Sequence, residues 1–94
     1  MPTQPISATD RIPKLATELE VPDQVRRRAV ELAQRASEAG LTVGRRPSGV
    51  AAGCLYLAAE QAGLCLSQRQ IADTAGTSPN TLRNRRDELL ELDA

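Results

Sequence analysis

The chain has 94 residues, enough for one domain, and a domain this small buries only about 60–65% of the surface that its unfolded chain exposes. Twelve basic and twelve acidic residues cancel, there is no histidine, and the two cysteines lack C-x-x-C spacing, which excludes a Cys/His zinc site or catalytic pair and points to no cofactor. Tyr56 is the one aromatic residue, so the core must come from Leu, Val, Ile and Ala, a set that suits close-packed helices.

Residues 1–5 carry two prolines and read as a flexible tail. The first helix is expected to start at Thr9 or Asp10, with Pro13 in its first turn and Ile12, Leu15, Ala16 and Leu19 as its apolar stripe. Pro22 and Asp23 open the second helix, proline in the first position and the acid at the positive end of the dipole. Val25, Ala29, Leu32, Ala33 and Ala36 form its inner face, Gly40 ends it, and Arg26, Arg27 and Arg28 read as a solvated face.

Pro47 starts the third helix, which Gly63 closes. Val50, Ala51, Cys54, Leu55, Leu57, Ala58, Ala59 and Ala62 leave it almost no polar side, so it should be central and buried. Its small residues allow its neighbours to come close. Cys54 falls in this helix and Cys65 in the turn after it; both read as reduced and mostly buried thiols.

Residues 67–86, SQRQIADTAGTSPNTLRNRR, hold most of the functional signal. Ser67 and Gln70 make a capping box for a fourth helix, with Leu66 and Ile71 placed as its hydrophobic staple. Gly76 makes a turn, Ser78 caps a fifth helix and Pro79 takes its first position. A helix-turn-helix needs a small residue where its helices cross, a turn residue that tolerates positive φ four places later, and an apolar anchor facing back. Ala72, Gly76 and Leu82 meet these needs. An αα-corner with no DNA role meets them too.

Charge separates the two. The segment carries four arginines and one acid, Asp73, whereas residues 87–94 carry four acids and no base. At about 100° per residue, Leu82, Arg86 and Leu89 share one stripe, while Asn80, Arg83, Asn84 and Asp87 lie opposite. Asn80 and Arg83 sit near the helix N-terminus, the part that meets base edges, and their side chains pair bidentately with adenine and guanine. Gln68 and Arg69 are placed for phosphate, with Arg85 bordering the core stripe and also reaching phosphate. Arg86 must snorkel or find a partner. Asp87 should end the contact surface, and the acids after it should let the last turn fray.

At this point a family resemblance emerges. GRRPSGVAAGCLYLA over residues 44–58, QRQIADTAG over 68–76 and TLRNR over 81–85 resemble the second cyclin-like repeat of archaeal transcription initiation factor B, the counterpart of eukaryotic factor IIB. The likeness covers residues 6–92. It implies an all-α, five-helix cyclin-like bundle over residues 6–94 ending in a helix-turn-helix at 67–92. It also implies major-groove reading of double-stranded promoter DNA at the B-recognition element upstream of TATA, together with TATA-binding protein. RNA polymerase would be reached through regions that this chain lacks: the zinc ribbon, the linker and the first repeat. The chain would then be an excised domain or a small stand-alone relative.

The family's base-reading positions fall on Asn80 and Arg83, with Ser78, Thr81, Asn84 and Arg85 nearby, and Arg45 and Arg46 are secondary backbone contacts. Three residues depart from the family pattern: Asn80 replaces a small apolar residue, Arg86 an aromatic and Asp87 a base. The rivals are a stand-alone helix-turn-helix regulator, which would dimerise on a palindrome where this chain reads as a monomer, and a cyclin-type protein adaptor with an exposed apolar groove. An enzyme is the weakest rival, since no carboxylate pair, metal spacing or phosphate loop occurs. The first residues show no basic-then-apolar signal pattern and no apolar run reaches membrane length, so the expectation is a cytoplasmic protein with no membrane role.

Overall fold

A computed structural model describes residues 7–93, so the expected tail at 1–5 lies outside the described residues. Five helices follow one another: α1 (Ala8–Glu18), α2 (Asp23–Glu38), α3 (Pro47–Gln61), α4 (Gln68–Ala75) and α5 (Pro79–Asp93). No strand occurs among the described residues, and the all-α, five-helix expectation holds.

The start of α1 differs from the expectation. Ser7 caps it, with its hydroxyl accepting from the Asp10 amide and the Asp10 carboxylate returning to the Ser7 amide. This capping box satisfies two orphan donors and moves the helix start to Ala8. Pro13 therefore lies inside the helix rather than in its first turn. It is exposed, and Thr17 Oγ1 donates to its carbonyl at 2.9 Å. In the turn after α1, Glu20 at φ 54° is a left-handed residue that lets the Val21 amide reach the Ala16 carbonyl at 3.0 Å.

Pro22 is the residue before α2, not its first residue, with extended backbone at φ −60° and ψ 151°. Asp23 then takes the first turn and pairs with Arg26 and Arg27, and Arg28 pairs with Glu31 at 2.7 Å. The Arg26 pair holds the Asp23 carboxyl below its usual range. The arginine run is a surface ion-pair cluster, as a solvated face would be.

The apolar faces meet as expected. Ile12, Leu15 and Ala16 of α1 and Val25, Ala29, Leu32, Ala33 and Ala36 of α2 are buried. α3 is buried from Gly49 to Ala59 apart from half-buried Tyr56, and it touches each of the other four helices. Ala62, expected in the core, instead caps the helix and is exposed. Leu19 is only half-buried, at the C-cap of α1.

Gly49 and Gly53, one turn apart on α3, face α5. A Cβ on Gly53 would lie 2.7 Å from the Arg85 Cβ and 3.1 Å from the Arg86 backbone nitrogen, whereas one on Gly49 would meet the Thr81 methyl at 2.9 Å. The backbones of α3 and α5 thus touch where no side chain fits between them. The last turn of α5 is expected to fray, yet the helix runs to Asp93. Leu89 beneath it is buried and Leu92 half-buried, and that burial opposes the dipole penalty of the acids.

The thiols divide. Cys54 is fully buried and desolvation pushes its thiol up to about 12, but Cys65 is exposed, contrary to expectation, because it lies beyond the end of α3.

Two predictions follow from the packing. Gly53→Ala should lower unfolding stability by about 1–3 kcal/mol despite alanine's better helix propensity, since backbone at 3.1 Å cannot swing aside, and Gly49→Ala should cost less because only a side-chain methyl must move. Urea unfolding of both variants checks the order. In native protein one thiol per chain, Cys65, should react with an aromatic disulfide reagent, and Cys54 should react only once the chain unfolds.

Candidate nucleic-acid interface

Two helix starts built from local chemistry set this surface. Ser67 Oγ accepts from the Gln70 amide at 3.2 Å, one half of the expected capping box. Ser78 Oγ accepts from the Thr81 amide at 3.1 Å and donates to Thr81 Oγ1 at 3.0 Å. Between them Gly76 adopts φ 81° and ψ 34°, the left-handed conformation that the turn needs and that side chains resist by roughly 1–2 kcal/mol. Ala72 and Leu82 are fully buried at the junction.

The candidate residues fall into two groups. Arg69 on α4 and Asn80, Arg83 and Asn84 on the first two turns of α5 are exposed. Gln68 is half-buried beside them and accepts from Arg83 Nη1 at 3.0 Å through its amide oxygen. This is an open polar face on a rigid helix, with Leu82 and Leu89 turned the other way.

The second group lines a groove of about 540 Å³ between the α2–α3 loop and the start of α5. Arg45, Arg46 and Arg85 line it together with the hydroxyl residues Ser48, Thr77, Ser78 and Thr81. Arg46 is exposed as the residue before Pro47. Arg45 and Arg85 share one carboxylate: Arg45 Nη2 lies 2.6 Å from Glu88 Oε2 and Arg85 Nε 2.8 Å from Glu88 Oε1. The side chains are only 34%, 18% and 26% exposed for Arg45, Arg85 and Glu88, so Arg85 borders the core as the sequence suggests, with Glu88 beside its guanidinium. The groove keeps a net positive charge, because two guanidiniums meet one acid and Arg46 adds a third. Its chemistry suits a phosphate: fixed guanidinium forks, hydroxyl donors and the positive end of α5.

Arg86 finds the partner that the sequence demands. It bonds Glu60 at 2.8 Å and Asp87 at 2.7 Å, and its guanidinium carbon sits 5.4 Å from the Tyr56 ring centre. The bond to Glu60 holds it above the ordinary arginine range. Glu88 and Tyr56 are the residues that sequence reasoning missed. Glu88 lies three residues after Arg85, a spacing that brings side chains together on a helix, but its link to Arg45 spans 43 positions. Among the described residues no cluster of metal-ligating side chains occurs, and no helix is long and apolar enough to cross a membrane.

Glu88→Gln should lower unfolding stability by about 1 kcal/mol at low salt, and the loss should shrink as salt rises. Denaturant titrations at two ionic strengths test this.

Residues 2–92 match the family described as "Transcription factor TFIIB repeat". The chain is 46% identical over 90 residues to the transcription initiation factor IIB of Methanothermococcus thermolithotrophicus, covering 96% of this chain and 26% of that protein. It is 46% identical over 92 residues to transcription initiation factor IIB 5 of Halobacterium salinarum, covering 98% and 30%. The Methanocaldococcus jannaschii factor is 44% identical over 90 residues, covering 96% and 13%. The chain therefore spans about a quarter of the length of most of the curated relatives it matches.

Proposed function

Because the chain belongs to the transcription factor TFIIB repeat family, we propose that it is a DNA-binding repeat of a general transcription initiation factor, reading double-stranded promoter DNA at the B-recognition element. The observation that carries this reading is the pairing of two surfaces on one helix-turn-helix. An exposed amide and guanidinium face, formed by Asn80, Arg83 and Asn84, adjoins an arginine-lined groove.

In this reading α5 enters the major groove. Arg83 donates to guanine O6 and N7, and Asn80 supplies the second base contact. Arg69 with Gln68, and Arg45, Arg46 and Arg85 with the hydroxyls of Ser78 and Thr81, hold the flanking phosphates and so fix the register. The exposed acid Asp87 marks where this surface ends. TATA-binding protein is the partner on the bent promoter, and RNA polymerase is engaged by other parts of a longer factor. The repeat itself acts as a monomer without catalysis, in the cytoplasm with the DNA.

The adaptor reading needs an open apolar groove. The cleft between α1, α3 and α4, about 300 Å³, is lined by Asp10, Arg11, Lys14 and Glu18 as well as Leu15 and Ala51. Val43 and Leu90 are the large hydrophobic residues that stand exposed among those described. Neither observation favours an adaptor.

Fluorescence anisotropy with a labelled duplex carrying the upstream element and TATA box tests the proposal. Binding should strengthen with TATA-binding protein and weaken when the upstream element is scrambled; indifference to both rejects it. Arg83→Ala should cost about 1–3 kcal/mol on the intact element and little on the scrambled one. With roughly four to six phosphates neutralised, log K should fall against log salt with a slope of about −4 to −5, and a flat profile rejects the phosphate contacts.

A further inference from the structure

Arg83 reaches toward solvent from an exposed helix face, where an arginine ordinarily samples many rotamers and loses that freedom on meeting a base. Here its Nη1 is already held, 3.0 Å from Gln68 Oε1, and Gln68 is held in turn, with its Nε2 donating to the Tyr56 hydroxyl oxygen at 3.0 Å. Tyr56 belongs to α3, the helix that every other helix packs against, and its ring lies against the Arg86 guanidinium, itself fixed by Glu60 and Asp87. A continuous polar chain thus runs from the core helix through the first residue of α4 to the exposed arginine of α5.

Building on the DNA-reading proposal, we infer that Tyr56, acting through Gln68, is a positioning residue that presets the Arg83 guanidinium for its base contact.

The donor and acceptor inventory makes the chain directional. Arginine has no acceptor, so the Gln68 amide must turn its oxygen to Arg83, and its NH₂ then faces Tyr56. The tyrosine oxygen is the acceptor that keeps the amide in this orientation. A single N–H of Arg83 is spent on Gln68. The rest of the fork is left for guanine O6 and N7, so the tether orients the side chain without consuming its recognition edge. Preorganisation of this kind raises affinity for the correct base by reducing the freedom lost on binding. Gln68 was expected to touch phosphate; the inference gives it a second task that does not depend on that contact.

Tyr56→Phe is the discriminating variant. It keeps the ring beneath Arg86 and removes only the hydroxyl, whereas Gln68→Ala would also remove any direct DNA contact. The 94-residue chain, with TATA-binding protein, is titrated against labelled promoter duplexes in which each guanine of the upstream element is replaced in turn by 7-deazaguanine, which lacks the N7 acceptor. Wild type should be weakened at a guanine to which Arg83→Ala is insensitive. Tyr56→Phe should lose about three- to tenfold of that discrimination, with an unchanged salt slope, and should have no effect in the Arg83→Ala background. In the free protein, NMR relaxation should show the Arg83 Nε–H more mobile in Tyr56→Phe than in wild type.

Full discrimination by Tyr56→Phe, or an equal loss on every duplex, overturns the inference while leaving the DNA-reading proposal standing. A wild type indifferent to every guanine replacement overturns the inference together with the Arg83–guanine contact on which it rests.

Discussion

Everything on the functional face depends on the absence of two side chains. At Gly53 the backbone of α5 lies so close to α3 that a single Cβ has no place, and Gly49 one turn earlier accepts the Thr81 methyl. This contact fixes both the rotation and the height of α5 on the core. Leu82 and Leu89 then turn inward, and Asn80, Arg83 and Asn84 can only turn outward. Arg85 and Arg86 flank the crossing. The first meets Glu88 and, through it, Arg45 on the preceding loop; the second meets Glu60 and Tyr56 on α3. A bulkier α3 would shift the contacts of α5 with Arg45, Glu60 and Tyr56 at once, since close-packed interiors transmit displacement instead of absorbing it.

The same economy explains how a small domain with a single aromatic residue holds five helices. Alanine fills the core of α2 and α3, so interhelical gaps are narrow and Leu and Ile supply the volume. Among the described residues no polar or charged residue is fully buried. The arginines that approach the core do so along their alkyl stems and end in ion pairs with Glu88 and Glu60. The charged network joins loop, α3 and α5 outside the apolar core.

Most of the fold was legible because its signals are local. Proline at the first position of α3 and α5, the glycines after α2, α3 and α4, and the serines before α4 and α5 stand where the residues suggest. The start of α1 was not, because Ser7 and Asp10 form one reciprocal cap while Asp10 alone looks like the start. An exposed proline one turn further along is also tolerated where a pattern argument forbids it. In the candidate site, the outward positions of Asn80, Arg83 and Asn84 follow from helical angle alone. The partners of Arg85 do not: its place beside the core stripe says nothing about a glutamate one turn later that also meets an arginine from another loop. The role of Tyr56 was equally hidden, since its partners Gln68 and Arg86 lie 12 and 30 positions away and meet it only after α4 and α5 have docked.

Tyr56 has one more consequence, and it is optical. The chain has no tryptophan and no other tyrosine, so its near-ultraviolet absorption and emission come from a single ring. That ring lies under a guanidinium, its hydroxyl bonded to the first residue of α4, at the junction of α3, α4 and α5. Intrinsic emission is therefore a one-site gauge of that junction, while backbone circular dichroism averages over all five helices. If the two signals lose their native values together, the domain melts as one cooperative unit. If emission changes first, the recognition helices detach from a core that is still folded.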